Sequence, residues 1–389
     1  MNARNQRAQS MMETKGHCSQ FESDKFKIRS QTDPSKYYVV SKTENGLKCQ
    51  CKDHNCRKAD CKHIKIVLEI IKNNQCYRNN TFRIMERSKL QLCKYCDSGR
   101  IKKDGMRKTK KCKIQRFKCL DCKKRFTTNF GFEKKQNDDN AITGSLEMYF
   151  SGMSVRDISR QYRRMGIKIS HMTIYRWVAQ YSKLGSEYVD KIVPRVGDWI
   201  RVDEAFIRVS GKMNYLFSTM DDETRFWLIG EMADTKFQHQ ADKLLVSTVN
   251  MTQKTPRAFI TDGLPAYAKS AKRVFGKETY HAFNVGINSK RTSGKIHPTN
   301  NMMERLNGEI RDREKVFRGL KKKDTPLIAG LKLWYNFSKE HGGLGGDVTP
   351  SEAALIRVDG DNKWKTIIEN AHFTRKIQSK LPKMLQNPI

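Results

Sequence analysis

Three acidic residues in the second half of the chain have the types and surroundings needed to bind a divalent cation. Asp203 lies within the apolar run 199–207, and Asp262 lies near the end of a second run, 258–263. Glu304 follows two asparagines at the start of a predicted helix. A carboxylate in apolar sequence is costly to desolvate unless a cation compensates its charge. Because Mg²⁺ prefers carboxylate, water and phosphate oxygens, the three side chains together predict a magnesium site.

Each of these acids also has a purely structural interpretation. Asp203 would pair with Arg201 or Arg208 on a half-exposed strand. Asp262 would form a turn with the glycine that follows it, or cap the next helix. Glu304 would join the asparagine three residues before it in a capping box. The predicted strands and helices between the acids are therefore needed to distinguish metal binding from a purely structural role.

The charge of the chain indicates the kind of partner. Among 389 residues, 76 Lys and Arg against 41 Asp and Glu give a net charge of +35. Such an excess usually has a polyanionic partner, and we expect nucleic acid rather than a merely solvated surface. No apolar run is long enough to span a membrane, and the first residues lack the apolar core of a secretory signal. We therefore expect a cytoplasmic, nucleoid-associated protein. Its eleven cysteines indicate metal binding rather than disulfides, with seven of them as ligands and Cys18, Cys56, Cys76 and Cys112 as idle or buried thiols.

Two Cys-x-x-Cys pairs lie within residues 91–130. Cys93 and Cys96 form the first pair, and Cys119 and Cys122 form the second. Two such pairs present four thiolates to a tetrahedral Zn²⁺. The segment between them is too polar to form a core, so the metal would supply the folding free energy. We predict a zinc ribbon here, and its basic charge favours contact with DNA.

An earlier cluster has the spacing C-x-C followed by C-x-H. It resembles a SWIM-type zinc finger and predicts a second structural Zn²⁺ within residues 36–90. Cys56 and His54 offer competing ligands. An apolar helix is predicted at 64–71, and residues 1–35 are predicted to be a flexible arm. The expected ligands are Cys49, Cys51, Cys61 and His63.

Residues 141–190 show the periodicity of three short helices after a polar linker at 131–140. Ser170 is placed to cap the third helix. The arrangement favours a helix-turn-helix domain whose last helix enters the major groove, although any three-helix bundle gives similar periodicity. The residues expected to contact DNA near the start of that helix are His171, Thr173 and Arg176.

From residue 196 onward the pattern changes to strands and helices. Strands are predicted at 199–207, 214–220, 225–230, 258–262 and 279–283, and helices at 237–249 and 265–274. This order places Asp203 in the middle of a sheet, Asp262 at the end of a neighbouring strand, and Glu304 on a helix across the sheet. It is the layout of a ribonuclease H-like domain. The predicted fold class is thus α/β, with a mixed-sheet catalytic domain at 195–345 preceded by zinc modules and an all-α domain.

The segments around the acids resemble the three acidic motifs of DDE transposases of bacterial and archaeal insertion sequences. A later stretch, 334–353, is similar to a tail that many of these enzymes share, and the resemblance covers about residues 91–355. The separation of Asp262 and Glu304 is longer than is usual, which leaves Glu309 as a second candidate for the third acid. The three motifs are Val202-Asp203-Glu204-Ala205, Ile260-Thr261-Asp262-Gly263 and Asn300-Asn301-x-x-Glu304-Arg305.

The resemblance implies a reaction and its cofactors. Asp203, Asp262 and Glu304 would hold two Mg²⁺ (or Mn²⁺) ions, which stabilise the attacking and leaving oxygens of an in-line displacement. Water would cut the end of the mobile element, and the 3′-hydroxyl released would then attack a target phosphodiester. Arg311, two helical turns after Glu304, is at a position where the family often has a basic residue that touches DNA.

The resemblance also implies the partners, and it leaves other functions open. Double-stranded DNA, as transposon ends and as target, would be bound by a homodimer or a larger synaptic assembly. The alternatives are a transposase-derived regulator that binds DNA without catalysis, and a structure-specific nuclease on the same fold. No role is predicted for the C-terminal tail, residues 346–389.

Overall fold

The computed structural model describes most of the chain. Its residues divide into two units, 1–81 and 82–389. Within the described part, no helix has the length and apolar character needed to cross a membrane. The described residues are 18–22, 25–30, 36–43, 46–57, 61–68, 81–108, 113–127, 129–133, 135, 137–283, 300–317 and 320–378.

The first unit contains a four-stranded antiparallel sheet followed by two short helices. Its elements are β1 (Cys18–Glu22), β2 (Lys25–Arg29), β3 (Tyr37–Thr43), β4 (Gly46–Cys49), α1 (Lys52–Arg57) and α2 (62–68). Ile28, Val40 and Ile64 are fully buried together with the cysteines of the cluster. The predicted arm, residues 1–35, is wrong in part because β1 and β2 lie inside it and continue the sheet. The predicted helix 64–71 is described as far as residue 68, and 69–71 lie outside the described residues.

The second unit begins with a small antiparallel sheet. Its strands are β6 (Ile101–Lys108), β7 (Lys113–Cys119) and β8 (Arg125–Thr127). A separate short strand, β5 (Phe82–Ile84), and a 3₁₀ turn at Arg87–Lys89 precede it. Strands β6, β7 and β8 pair in that order and form the body of the ribbon. Its apolar support is small: Phe117 stacks on Phe126 with ring centroids 5.9 Å apart, and Tyr95 meets Phe126 edge-on. So small a core agrees with a module that needs metal to fold.

Three helices follow the ribbon, as predicted. They are α3 (Asp139–Phe150), α4 (Val155–Arg164) and α5 (His171–Val189). Ser154 and Ser170 cap α4 and α5, each accepting at 3.2 Å the N–H of the residue three positions later. Gly152, with φ of +116°, makes the turn between α3 and α4. The third helix is longer than predicted because its second half is buried within the unit.

The central sheet has five strands in the order β11-β10-β9-β12-β13. The three leading strands are antiparallel, whereas β12 and β13 run parallel to β9. Strand β9 buries apolar residues on both faces, Ile200 and Val202 on one and Ala205 and Ile207 on the other, as expected for a central strand. This mixed strand order is the predicted ribonuclease H-like arrangement. The elements are β9 (Trp199–Val209), β10 (Lys212–Asp221), β11 (Trp227–Ala233), α6 (Gln238–Thr252), β12 (Ala258–Thr261), α7 (Pro265–Val274) and β13 (Tyr280–Phe283).

The remaining elements close the second unit. They are α8 (Asn301–Phe317), α9 (Pro326–Phe337), a 3₁₀ turn at Gly342–Leu344, α10 (Pro350–Ala353), β14 (Ile356–Val358) and α11 (Lys363–Gln378). Strand β14 pairs in parallel with β5. Trp364 of α11 stacks on Phe150 at 5.7 Å, and Glu147 accepts hydrogen bonds from the indole N–H groups of Trp334 and Trp364, both at 2.9 Å. Two predicted boundaries therefore move: residues 82–90 belong with the second unit, and the described part of the predicted tail belongs to its core.

Candidate active site

Two of the three predicted acids lie side by side on the central sheet. Strands β9 and β12 are parallel, with Ile260 opposite Arg201. Continuing that register by two residues brings Asp262, just past the end of β12, next to Asp203 in the middle of β9. Carboxylate oxygens of Asp203, Glu204 and Asp262 all lie within 4.8 Å of one another. The fold thus gathers oxygen ligands from residues that are far apart in sequence.

Asp203 is held in one orientation by two hydrogen bonds. The backbone N–H of Glu204 donates to its Oδ1 at 2.9 Å, and the amide of Asn307 on α8 donates to its Oδ2 at 2.9 Å. Burial raises the pKa of Asp203 to about 7, and the negative charges of Glu204 and Asp262 act in the same direction. A half-buried carboxylate next to further carboxylates is the donor set that a hard divalent cation such as Mg²⁺ fits.

Glu204 was not assigned a role from the sequence, and the structure gives it different surroundings from those of Asp203. Its carboxylate accepts a hydrogen bond from Lys236 Nζ at 2.5 Å and another from the Tyr267 hydroxyl at 3.0 Å. The ammonium of Lys236 also lies over the ring of Phe206, 4.9 Å from its centroid. Burial and the neighbouring Glu204 raise the pKa of Tyr267 far above its usual range, so the hydroxyl keeps its proton and donates. Glu204 is therefore neutralised by the protein itself.

Glu304 is exposed in the first turn of α8 and lies outside the group within 4.8 Å. Its neighbours on the helix are nonetheless anchored to β9. The amide of Asn300 donates to the carbonyl of Val202 at 3.4 Å, and Asn307 bonds Asp203. Residues 300, 304 and 307 share one face of a helix, so Glu304 is carried on the side of α8 that packs against β9. The spacing of Asn307 from Glu304 was the available sequence signal for its role.

The alternative interpretations of the acids can be compared with the contacts. Arg201 pairs with Asp222 at 2.7 Å. Asp262 accepts the N–H of Leu264 at 3.2 Å, which is a turn contact, and α7 begins without a side-chain cap. Glu309, the second candidate for the third acid, is paired with Lys339 and with Arg313. Glu309 is thus already neutralised, whereas no ion pair is recorded for Glu304 among the described residues.

The four cysteines predicted for the ribbon meet at one point. Their sulfur atoms all lie within 4.8 Å of one another. The distances between Cys93 and Cys122 (3.5 Å) and between Cys96 and Cys119 (3.6 Å) are far longer than a disulfide bond. Burial raises the pKa of Cys93 to about 12, so its thiolate needs a compensating cation. This geometry fits a tetrahedral Zn²⁺ site with Cys₄ ligation.

The four ligands predicted in the first unit also form one buried group within 4.8 Å: Cys49, Cys51, Cys61 and His63. Nδ1 of the histidine lies 3.6 Å from the sulfur of Cys49, and its ring stacks on Tyr38 with centroids 4.4 Å apart. Its Nε2 is buried without a partner among the described residues. Cys56 is exposed and outside the group, and the side chain of His54 lies outside the described residues. The donor set fits Zn²⁺.

The residues predicted to contact DNA lie at the surface of the second unit. His171 and Arg176 are exposed near the start of α5, and Arg311 is exposed on α8. Thr173 is half-buried, with its hydroxyl 2.9 Å from that of Ser170. Exposed basic residues on and after α4 surround this end of the bundle: Arg156, Arg160, Arg163, Arg164 and Lys168.

Comparison with known proteins adds an independent observation. Residues 197–341, which contain all three predicted acids, match the model of a family described as a DDE domain. A transposase for the insertion sequence-like element IS431mec of Staphylococcus aureus is 26% identical over 214 residues, covering 54% of this chain and 89% of that protein. The S. aureus transposase for insertion sequence element IS257 in transposon Tn4003 matches equally well.

Solved structures also resemble part of the chain. The catalytic core domain of HTLV-2 integrase in complex with magnesium is 13% identical, covers 42% of this chain and 98% of that one, and superposes with a TM-score of 0.30. The catalytic core domain of BIV integrase is 13% identical, covers 41% and 93%, and also has a TM-score of 0.30.

Proposed function

We propose that this protein is a metal-dependent DNA transposase that cuts the ends of its own mobile element and joins them to target DNA. The observation that carries the proposal is the approach of Asp203 and Asp262 to within 4.8 Å on neighbouring parallel strands, inside the segment that matches a DDE domain. Glu304, on the helix that packs across β9, is the third proposed catalytic residue. The similarity to insertion-sequence transposases over 54% of the chain supports the same reaction class.

The proposed cofactor is a pair of Mg²⁺ or Mn²⁺ ions, which when bound supply charge stabilisation for in-line displacement at phosphorus. Asp203 and Asp262 would hold them, together with Glu304. Asn307 and the backbone of Glu204 restrain the orientation of the Asp203 carboxylate, so less rotamer freedom is lost when a cation binds. Lys236 and Tyr267 neutralise Glu204, which limits the negative charge next to the incoming phosphate.

We also propose two structural Zn²⁺ ions, one in a SWIM-like finger of the first unit and one in the ribbon. The helix-turn-helix would contact the element's ends through His171, Thr173 and Arg176, with Arg311 near the cleaved strand. A homodimer or larger assembly would pair two ends. Support comes from the two groups of four Cys and His side chains whose ligand atoms lie within 4.8 Å of one another, and from the net charge of +35.

A cleavage and strand-transfer assay with labelled DNA tests the function, run with Mg²⁺ and with a chelator. Asp203→Asn, Asp262→Asn and Glu304→Gln should each abolish both steps while DNA binding persists. Glu278→Gln, at an exposed position just before β13, is the matched control and should retain activity. Strand transfer at the normal rate by any of the three variants would overturn the assignment of that acid. Binding without cleavage by the wild type would instead favour the regulator.

A further inference from the structure

A cavity of about 420 Å³ lies on the flank of α8, next to the turn that carries Glu304. One face of the helix forms its floor through Arg305, Gly308 and Asp312, which follow helical spacing. The opposite wall is formed by Arg225, between β10 and β11, and by residues 339–343. Neither the metal site nor the helix-turn-helix uses these residues.

The acidic groups of this cavity are largely neutralised. Glu309 is paired with Lys339 and Arg313, and Asp312 is paired with Lys315 at 2.9 Å. Glu340 is an exposed acid at the rim.

Two arginines of the cavity are uncommitted. Neither Arg225 nor Arg305 makes a side-chain hydrogen bond or ion pair with any residue that the structure describes. The guanidinium of Arg225 packs against Gly343 and occupies the space that a side chain would need there. A Cβ at Gly343 would lie only 2.1 to 2.4 Å from the Nη and Cζ atoms of Arg225. The chain therefore holds an unpaired guanidinium over the cavity and keeps that position of the wall free of a side chain.

The rest of the lining is small or uncharged. A Cβ built at Gly308 would have nothing within 4 Å, so the floor of the cavity is open. His341 packs edge-on against Tyr335 with ring centroids 4.6 Å apart, and burial lowers its pKa to about 4, so it adds no charge at neutral pH. The cavity thus combines two positively charged side chains, Arg225 and Arg305, with room for a compact anion.

We propose that this cavity binds a backbone phosphate of the DNA strand that passes through the active site, with Arg225 and Arg305 as its ligands. The planar guanidinium group donates in a fork that matches two phosphate oxygens. Arg305 follows Glu304 directly, so a strand leaving the carboxylates would cross the first turn of α8 before reaching the cavity. The positive end of the α8 dipole favours an anion along that path. This inference rests on the proposed function, which supplies the DNA strand.

The test uses the full-length protein without divalent metal and a labelled mixed-sequence DNA duplex, with affinity measured across a series of salt concentrations. Arg225→Gln and Arg305→Gln should each weaken binding and reduce the salt slope by about 1, as expected for one lost phosphate contact. Arg257→Gln, which removes a mostly exposed arginine just before β12, is the matched control. It should leave the salt slope at the wild-type value.

A second variant removes access without removing charge. Gly308→Leu places a side chain in the open floor, at a helical position where leucine is favoured over glycine, so folding should be retained. It should weaken DNA binding to the same extent as Arg305→Gln, with a thermal unfolding midpoint no lower than that of the wild type. Equal affinity and salt slope in wild type, both glutamine variants and Gly308→Leu would overturn the proposal that this cavity binds a phosphate.

The outcomes separate this inference from the proposed function. If the wild type shows no metal-dependent cleavage but Arg225→Gln and Arg305→Gln still reduce the salt slope, the proposed transposase activity is wrong and phosphate binding in the cavity is supported. If the wild type cleaves DNA and neither substitution changes the salt slope or the cleavage rate, the proposed transposase activity is supported and phosphate binding in the cavity is wrong.

Discussion

Replacing Asp203 by asparagine should stabilise the metal-free protein at alkaline pH while abolishing catalysis. The folded pKa of this carboxyl is raised from 3.8 to about 7 by burial first and by the neighbouring acids second. A raised pKa means that the folded state binds the proton more tightly than the unfolded state. The contribution of Asp203 to stability is therefore fully present below about pH 4 and is lost as the pH rises through about 7.

The size of the effect follows from the two pKa values. At 1.36 kcal/mol for each pH unit between them, ionised Asp203 costs about 4 kcal/mol above pH 7 in the absence of metal. About half of that cost develops between about pH 5.5 and about pH 8.5. The asparagine carries no charge, but it cannot accept from both Glu204 and Asn307, and one lost hydrogen bond costs about 1 kcal/mol. A net gain of about 2 to 3 kcal/mol is expected for the variant above pH 8.

Chemical denaturation followed by fluorescence at about pH 5.5 and about pH 8.5 measures the unfolding free energy of wild type and variant. Glu278→Gln is the control for a carboxyl lost at the surface. Wild type should become less stable than the variant as the pH rises, and Mg²⁺ should restore stability to the wild type alone. A variant that is no more stable than the wild type at about pH 8.5, or that is stabilised equally by Mg²⁺, would refute the idea that Asp203 is a buried cation ligand.

Three further predictions come from the supporting contacts. Asn307→Leu should slow strand transfer about 10- to 100-fold through loss of the bond to Asp203, without weakening DNA binding; an unchanged rate would show that Asp203 is positioned without it. Lys236→Met should destabilise the protein by about 3 to 5 kcal/mol because it leaves Glu204 buried and uncompensated, and adding Glu204→Gln should recover much of that loss in a denaturation experiment. Elemental analysis should find two Zn²⁺ per chain and one in Cys93→Ser, and a full complement in that variant would exclude the Cys₄ site.

The central sheet was predictable because each of its strands has a clear local sequence pattern. Apolar runs bounded by polar turns locate β9 and β12, and the parallel pairing of a ribonuclease H-like sheet then places Asp203 beside Asp262. The grouping of the four ribbon cysteines was equally predictable, since two Cys-x-x-Cys pairs at this spacing have few other uses. In each case the signal is contained within a few residues.

Other features depend on partners that are distant in sequence. Strands β1 and β2 are polar and short, and they join the sheet because β2 pairs with β3 and β1 pairs with β2. Residues 356–358 and 363–378 show little periodicity of their own, but they complete a core through β5 and through Phe150. The neutralisation of Glu204 joins residues 32 and 63 positions away. No local pattern carries such pairings, because tertiary contact rather than propensity decides them.

Adjacent acids on one strand have thus been given opposite environments. Glu204 is buried against a lysine and a tyrosine, so its charge is already compensated and it has little left to offer an added cation. Asp203 receives only neutral donors, and its charge stays uncompensated beside Asp262. When neighbouring titratable groups are held in environments that differ in this way, their roles differ as well. We therefore expect Asp203 to bind the cation and Glu204 to support the site, although the two residues are chemically similar and consecutive in the chain.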